Sequence, residues 1–160
     1  MLTQSEMLIR MLIALLIGLI IGYERSRNHK PAGIRTYSLV CIGATVFMMV
    51  SVYGLPNDLN NDFYGYRVDP FRVAAQIVTG IGFLGAGVIW KQGGNIRGLT
   101  TAANLWVTAG LGMAVGVGMY LLVLISVVCI FIALYSSPIL CRLGLLKYPS
   151  CDVDDNPDED

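Results

Sequence analysis

The stretch that decides the fold is residues 72–106, RVAAQIVTGIGFLGAGVIWKQGGNIRGLTTAANLW, in which two apolar segments flank a short basic loop. Each apolar segment is long enough to begin a bilayer-spanning helix, so the stretch predicts two membrane helices joined by that loop. A helix that only crosses lipid can consist of Leu and Ile throughout, yet the first segment is dense in glycine. The glycines therefore predict tight helix packing, and backbone contact with a polar ligand is the alternative.

Helical periodicity divides the first of these two helices into faces. Small residues predict a packing face made of Ala75, Thr79, Gly82 and Ala86. Large residues on roughly the opposite side predict a lipid face made of Ile77, Ile81, Leu84 and Val88. A third stripe lies beside the small one and consists of Gln76, Gly80, Phe83 and Gly87. The helix-packing residues that we predict are Gly80, Gly82, Gly85 and Gly87.

Composition identifies an integral membrane protein. The chain has 160 residues, of which 55% are hydrophobic and only 14% charged, so its long uncharged runs exceed what a soluble core could bury. Two of the four cysteines lie in apolar runs, Cys41 and Cys129, and the other two in a segment that we place in the cytosol, Cys141 and Cys151. We therefore expect free thiols rather than disulfides.

Five apolar segments predict an all-α bundle of five transmembrane helices, at residues 7–23, 37–53, 73–90, 99–117 and 119–135. The last two form one continuous apolar run, and GMAVGVGM is the place where we expect the chain to turn. Residues 1–140 form the predicted membrane domain and residues 141–160 an acidic tail. We expect the first segment to be retained as a helix, since no small-residue cleavage site follows it.

Basic residues predict the orientation of the bundle. One side of the predicted membrane carries Arg25, Arg27, Lys30, Arg35, Lys91, Arg97, Arg142 and Lys147, and the other carries Arg10, Arg67 and Arg72. Because loops rich in Lys and Arg stay in the cytosol, the C-terminus is predicted to be cytosolic and the N-terminus to lie outside. The aspartate-rich loop between the second and third segments is then external.

A cluster of charged residues follows the first helix. The sequence GYERSRNHKPAGIRT places Glu24 and Arg25 at the level of the lipid headgroups, where Glu24 could pair with Arg35 or Arg97 from neighbouring loops, or bind a hard cation. The alternative is that the basic residues only set orientation and bind lipid phosphates. We predict that Glu24, Arg35 and Arg97 lie together and form a structural and functional hub.

The fourth helix carries polar residues that lipid would not tolerate. Thr100, Asn104 and Thr108 recur every four residues with Thr101 beside them, and this stripe must face protein or water. It either forms interhelical hydrogen bonds or lines a polar cavity. Gln76 is near the outer end of the third helix, whereas Asn104 is near the cytosolic end of the fourth. We therefore expect no contact between Gln76 and Asn104.

Small residues on the fourth helix predict close contacts on two of its faces. One face carries Gly110, Ala114 and Gly118, and the other carries Gly112 and Gly116. We expect one of these faces to contact another subunit, which makes a homo-oligomer the expected assembly.

The sequence contains no pattern typical of an enzyme. It has no nucleophile with a neighbouring base, no phosphate-binding loop and no His or Cys cluster with metal spacing. We therefore expect no catalytic residues, no metal centre, no cofactor and no nucleic-acid partner. The acidic tail either is simply solvated or attracts Mg²⁺ or a basic partner.

Four motifs, GYER, PAGIRT, RVAAQIVTGIGFLGAGVI and IRGLTTAANLW, occur in an order and spacing that resemble the membrane domain of the MgtC/SapB family over residues 18–118. The resemblance implies a bacterial inner-membrane protein of a family known for virulence and adaptation to low magnesium. Family members have been linked to inhibition of the F-type ATP synthase and to magnesium and phosphate homeostasis. By position, the motif residues are Glu24, Arg25, Gly33, Arg35, Thr36, Arg72, Gln76, Gly82, Gly85, Gly87, Arg97, Gly98, Thr100 and Thr101.

The chain departs from the family pattern in two respects. Many members continue into a soluble C-terminal domain, where this chain has a short acidic tail, so functions that need that domain are in doubt. Asn104 replaces the smaller Thr or Ser that the family pattern suggests, so any role of Asn104 is particular to this protein.

Two classes of function follow from the resemblance and the residues together. The first is a regulatory membrane subunit that acts on a membrane partner, either the F-type ATP synthase or a cation transporter. The second is an oligomeric ion channel or transport component. The functional polar residues that we predict are Glu24, Arg25, Arg35, Thr36, Arg72, Gln76, Arg97, Thr100, Thr101 and Asn104.

Overall fold

The computed structural model of the protein describes residues 2–54, 72–92 and 94–142, with the backbone alone at residues 92, 137, 138, 141 and 142. The elements are α1 (Gln4–Arg27), α2 (Ile34–Tyr53), α3 (Arg72–Gly87), β1 (Trp90–Gln92), β2 (Asn95–Arg97), α4 (Leu99–Val117) and α5 (Tyr120–Arg142). The predicted all-α class is confirmed except for the short antiparallel hairpin β1–β2, which replaces the predicted basic loop. The predicted external loop and the acidic tail from residue 143 on lie outside the described residues.

The chain divides into two compact units, Met1–Val123 and Leu124–Asp160. The first unit contains α1 to α4, the hairpin and the first residues of α5. Within the described part of the second unit, residues 124–142 continue α5. All the contacts described below belong to the first unit.

Three of the described helices are long and apolar enough to cross a membrane: α1, α2 and α4. The helix α3 has 16 residues, which at a rise of 1.5 Å per residue gives about 24 Å, less than the roughly 30 Å hydrocarbon core. The described apolar part of α5 is the shorter stretch Tyr120–Ser136. The membrane character is confirmed, and the count of five spans and their orientation stay predictions.

Two helix boundaries differ from the predicted ones in a way that matters for the site. The helix α1 begins at a capping box, in which the Thr3 hydroxyl accepts from the Glu6 N–H and the Glu6 carboxylate accepts from the Thr3 N–H. It continues to Arg27, four residues beyond the predicted end, so Glu24 and Arg25 are helical rather than part of a loop.

Glycines bring α1 and α2 into backbone contact. A Cβ at Gly22 would lie 2.6 Å from the Cα of Ile34, and one at Gly18 would collide with the Cα of Ser38. Only glycine allows two helices to approach so closely, and the short connection closes with the Ile34 N–H donating to the Ser26 hydroxyl at 3.0 Å. The pair α1–α2 therefore forms a tight helical hairpin.

Glycines also bring α2 and α4 together, as the sequence predicts for Gly112 and Gly116. A Cβ at Gly116 would lie 2.9 Å from the carbonyl oxygen of Thr45, and one at Gly112 would collide with the carbonyl oxygen of Cys41. The Thr45 hydroxyl donates to the Gly112 carbonyl oxygen at 2.8 Å across this contact. The helix α2 is thus packed between α1 and α4.

The predicted faces of α3 match the structure only in part. Its buried residues are Ala74, Ile81 and Gly85, so Ile81 was wrongly assigned to the lipid face, whereas Leu84 of that face is 52% exposed. The contact with α4 is made through Gly85, whose added Cβ would lie 3.6 Å from the Cβ of Ala102. The predicted packing face of Ala75, Thr79, Gly82 and Ala86 is exposed instead. Residue size predicts that a face can pack closely, but the element that it packs against is set by the tertiary fold.

Candidate functional site

A buried ion pair lies at the C-terminal end of α1. Glu24 is 8% exposed and Arg25 4% exposed, and the Arg25 Nη1 atom lies 3.8 Å from Glu24 Oε2. The other carboxylate oxygen, Glu24 Oε1, accepts a hydrogen bond of 2.6 Å from the Asn28 side chain. These charges are buried because the last two turns of α1 pack closely on α2 at Gly22.

Side chains from α2 and α4 complete the surroundings of this ion pair. The Arg25 Nη2 atom donates to the Thr101 hydroxyl at 3.4 Å, and the Tyr37 hydroxyl donates to the Thr101 carbonyl oxygen, also at 3.4 Å. Tyr37 also interacts with the side chains of Arg25 and Asn104. Tyr37, Thr101 and Asn104 are all at most 5% exposed. We call Glu24, Arg25, Tyr37, Thr101 and Asn104 the Glu24 cluster.

The structure brings together only some of the residues that the sequence placed in one polar group. Glu24, Arg25, Thr101 and Asn104 meet in the Glu24 cluster. The other predicted residues are exposed: Arg35, Thr36, Arg72, Gln76, Arg97 and Thr100. The predicted hub of Glu24, Arg35 and Arg97 is wrong, since Glu24 is buried and pairs with its neighbour Arg25, whereas Arg35 and Arg97 have exposed side chains.

Tyr37 was not predicted as a site residue, since in the sequence it marked only the first residue of the second predicted span. In the structure α2 begins three residues earlier, at Ile34, so Tyr37 lies one turn inside the helix and is 0% exposed. A signal did exist: Tyr37, Cys41 and Thr45 recur every four residues and share one buried side of α2.

A second polar contact lies at the other end of α4. Arg10 of α1 is 8% exposed, donates to the carbonyl oxygen of Gly116, and places its guanidinium carbon 5.1 Å from the centre of the Tyr53 ring. The Tyr53 hydroxyl donates to the carbonyl oxygen of Val117 at 3.1 Å. Carbonyls at a helix C-terminus lack intrahelical partners and carry partial negative charge, so a guanidinium is well placed there.

The two contacts share one register between α1 and α4. Arg10 contacts Gly116 and Arg25 contacts Thr101. The two arginines are 15 residues apart on α1, and their partners are 15 residues apart on α4 in the opposite direction. That distance is about 22 Å at the helical rise. The two arginines of α1 therefore bind opposite ends of an antiparallel α4.

Comparison with known proteins identifies the family. The family model described as "MgtC family" matches residues 11–143. The protein belongs to the MgtC family. This match confirms the resemblance carried by the sequence motifs.

Three curated relatives of the MgtC family illustrate the extent of the similarity. "Putative magnesium transporter YhiD" of Escherichia coli (strain K12) is 47% identical over 116 residues, which cover 72% of this chain and 53% of that protein. "Protein MgtC" of Salmonella typhimurium (strain LT2) is 48% identical over 99 residues, covering 62% and 38%. "Protein MgtC" of Brucella abortus (strain 2308) is 47% identical over 98 residues, covering 61% and 37%. The chain thus spans about half the length of these relatives or less, and no solved structure matches it.

The region that matches the MgtC family contains the whole Glu24 cluster, and Arg10 lies one residue before it. The match also contains all of α3, whose exposed side carries the predicted small-residue stripe and the third stripe beside it. Among the described residues, no atom lies within 4 Å of a Cβ added at Gly80, Gly82 or Gly87, and Phe83 is 83% exposed. We call this exposed side of α3 the open α3 face. It consists of Ala75, Gln76, Thr79, Gly80, Gly82, Phe83, Ala86 and Gly87.

Proposed function

We propose that this member of the MgtC family is a regulatory membrane subunit that binds another membrane protein through the open α3 face. It acts in the bacterial inner membrane as a multi-pass protein with a cytosolic C-terminus, and its role lies in magnesium and phosphate homeostasis during growth at low magnesium or inside a host. It performs no catalysis of its own. The partner that we propose is the F-type ATP synthase or a cation transporter.

The observation that carries this proposal is the open α3 face. Each glycine in a helix interior costs about 1 kcal/mol relative to alanine, so a run of glycines needs a compensating close approach. Within the described chain only Gly85 of α3 is approached, by Ala102, while Gly80, Gly82 and Gly87 have no neighbour. A second membrane helix packed on this face supplies the missing contacts.

Polar side chains on the same face support a protein rather than lipid as its neighbour. Gln76 and Thr79 are exposed on α3, and neither forms a hydrogen bond with another described side chain. Lipid tails offer no partner for an amide, whereas side chains of a second helix do, with a gain of about 1 kcal/mol. The same face would also accept a second copy of the chain, since an amide can both donate and accept.

The magnesium role rests on the family and on the names of relatives. One relative is called a putative magnesium transporter, and several others carry the name MgtC. The chain spans only part of these proteins, so the magnesium role is proposed here for the region that they share with it.

A matched pair of glycine substitutions tests the proposed binding face. Gly82→Leu adds bulk where the described part of the chain has no neighbouring atom, so we expect normal folding and loss of a cross-linked partner in native membranes. Gly85→Leu adds bulk against Ala102, so we expect a loss of folding stability of about 1 to 3 kcal/mol. If Gly82→Leu folds normally and retains the same cross-linked partner, the proposed binding face is wrong.

The alternative function is an oligomeric ion channel or transport component. The observation in its favour is that the buried polar stripe of α4 continues from Thr101 and Asn104 to Thr108, which is 0% exposed. The Thr108 hydroxyl, however, donates to the carbonyl oxygen of Asn104 on its own helix at 2.7 Å. Magnesium flux into vesicles that contain only this protein would favour the alternative, and its absence there together with partner-dependent effects would favour the regulatory role.

A further inference from the structure

The Glu24 cluster contains buried polar atoms whose hydrogen bonding is incomplete. Among the described residues, Glu24 Oε2, Arg25 Nε and Asn104 Nδ2 are buried and have no partner at hydrogen-bond geometry, although the Tyr37 side chain lies close enough to Arg25 and Asn104 to interact with them. Buried polar groups in proteins are paired in the great majority of cases, with protein or with ordered water. Three such atoms in one cluster therefore indicate that a bound molecule supplies the missing hydrogen bonds.

The direct contacts within the cluster are long. Glu24 Oε2 and Arg25 Nη1 are 3.8 Å apart, which is too long for a direct hydrogen bond. Arg25 Nη2 and the Thr101 hydroxyl are 3.4 Å apart, at the weak limit. Long contacts of this kind leave the groups with hydrogen-bonding capacity that a water molecule beside them can take up.

The chemistry of the three unpaired atoms selects the ligand. A carboxylate oxygen accepts hydrogen bonds, whereas the guanidinium Nε–H and the amide NH₂ donate them, so the ligand must both donate and accept. A cation would meet the charge of Arg25, and an anion would meet the charge of Glu24. A neutral molecule of the size of water satisfies both, and buried waters typically make about three hydrogen bonds.

We propose that Glu24, Arg25 and Asn104 bind ordered water between α1 and α4, so that the Glu24 cluster is a hydrated site inside the protein. At this end of α4 the contact with α1 is carried partly by exchangeable water, whereas at the other end Arg10 binds Gly116 directly. The proposed water site and the open α3 face share no residues. The water site therefore does not depend on the proposed binding of a partner.

The other two unpaired buried atoms lie outside this site. Arg10 Nε is at the opposite end of α4, and Ser38 Oγ belongs to a residue whose backbone packs against Gly18 of α1. Neither side chain forms a hydrogen bond with a member of the Glu24 cluster among the described residues. The proposed water site is therefore restricted to the Glu24 cluster.

Magnetisation transfer from water to the protein tests this proposal. The full chain, labelled with ¹⁵N and placed in lipid bilayers, is studied by solid-state NMR with short transfer times from water protons. We expect the Arg25 Nε–H and Asn104 side-chain signals to build up as early as the Arg35 Nε–H signal, because Arg35 is exposed. If they build up only as late as the backbone amide of Val115, which is 0% exposed, the site is dry and the proposal is wrong.

A pair of substitutions on α4 then tests the role of Asn104. Asn104→Leu removes one of the proposed water ligands and fills its space, so transfer to Arg25 Nε–H should be lost. Thr108→Val alters a buried hydroxyl one turn away that already bonds within α4, so transfer to Arg25 should be unchanged. Transfer that persists in Asn104→Leu would contradict the assignment of Asn104 as a ligand. The wild-type measurement decides on hydration even if the leucine variant does not fold.

Discussion

At the scale of single residues, the buried charges of α1 determine how the helix contacts its neighbours. Glu24 and Arg25 lie next to each other in the sequence, and both are nearly inaccessible in the structure. A buried ion pair contributes little net free energy to folding, because burying two charges is costly. Removing one partner is nevertheless strongly destabilising, because the other charge remains buried without compensation. The main contribution of Glu24 to stability is therefore that its carboxylate compensates the buried charge of Arg25.

We expect Glu24→Gln to lower the free energy of unfolding by about 2 to 5 kcal/mol, because Arg25 would remain charged and buried without its carboxylate. Arg35→Gln is the matched control and should change it by less than about 0.5 kcal/mol, since Arg35 is exposed. Thermal unfolding of the detergent-purified variants measures both. Equal midpoints for the two variants would show that Glu24 is not part of a buried pair.

We expect Arg10→Met to lower the free energy of unfolding by about 1.5 to 3 kcal/mol, because a charged hydrogen bond to the end of α4 is lost. Tyr53→Phe, which keeps the ring under Arg10 and loses only the bond to Val117, should lower it by about 1 kcal/mol. Arg27→Met, on the same helix but exposed, is the control. An Arg10→Met variant as stable as the Arg27→Met variant would contradict the role of Arg10 as a cap.

The sequence indicated that Asn104 faces protein or water, since lipid does not tolerate its amide, but it placed Glu24 at the level of the lipid headgroups. It selected Arg35 and Arg97 as partners of Glu24 instead of Arg25, because arginines carry the same charge and differ only in where the helices direct them. Arg10 was counted only as a charge for orientation. Its contact with Gly116 spans 106 positions of the sequence and depends on the register of two helices, which no local pattern contains.

At the scale of elements, glycines decide which helices touch. Gly18 and Gly22 allow α1 to approach α2, and Gly112 and Gly116 allow α4 to approach α2. The spacing of Gly112 and Gly116 predicted this kind of contact correctly. On α3 the same reasoning selected a face that is exposed in the chain, because small residues indicate closeness without identifying the neighbour.

We expect Gly22→Ala to lower the free energy of unfolding by about 1 to 3 kcal/mol, since its Cβ would lie 2.6 Å from the Cα of Ile34 and the helices would have to separate. A Cβ added by Gly43→Ala on α2 would meet no atom of the described residues within 4 Å, so this substitution should raise stability by up to about 1 kcal/mol through helix propensity. Chemical or thermal unfolding in detergent compares the two. The same sign of change in both variants would contradict the packing of α1 on α2.

At the scale of the whole molecule, charge bias predicts an orientation that helix positions alone do not determine. Three of the described helices are confirmed as long and apolar enough to span, and the number of remaining crossings decides on which side the C-terminus lies. The bias of basic residues is informative because it depends on loops and not on packing. It places the Glu24 cluster near the cytosolic surface and Arg10 near the outer one.

We expect Cys151, in a variant that lacks the other three cysteines, to resist a membrane-impermeant maleimide in intact cells and to react after the cells are permeabilised. The reason is that the tail follows the last predicted span on the side rich in Lys and Arg. A variant with a single cysteine placed at Asn57, in the predicted external loop, should show the opposite pattern. Reaction of Cys151 in intact cells would reverse the orientation.

The central claim is that the open α3 face binds a partner protein in the membrane, and photo-cross-linking tests it most directly. A photoreactive amino acid is placed at Phe83, which is 83% exposed on α3, and in a control variant at Leu39, which is 69% exposed on α2. In native membranes under low magnesium we expect a discrete protein adduct from position 83, absent at position 39 and lost when Gly82→Leu is added. Lipid adducts alone from both positions would contradict the claim.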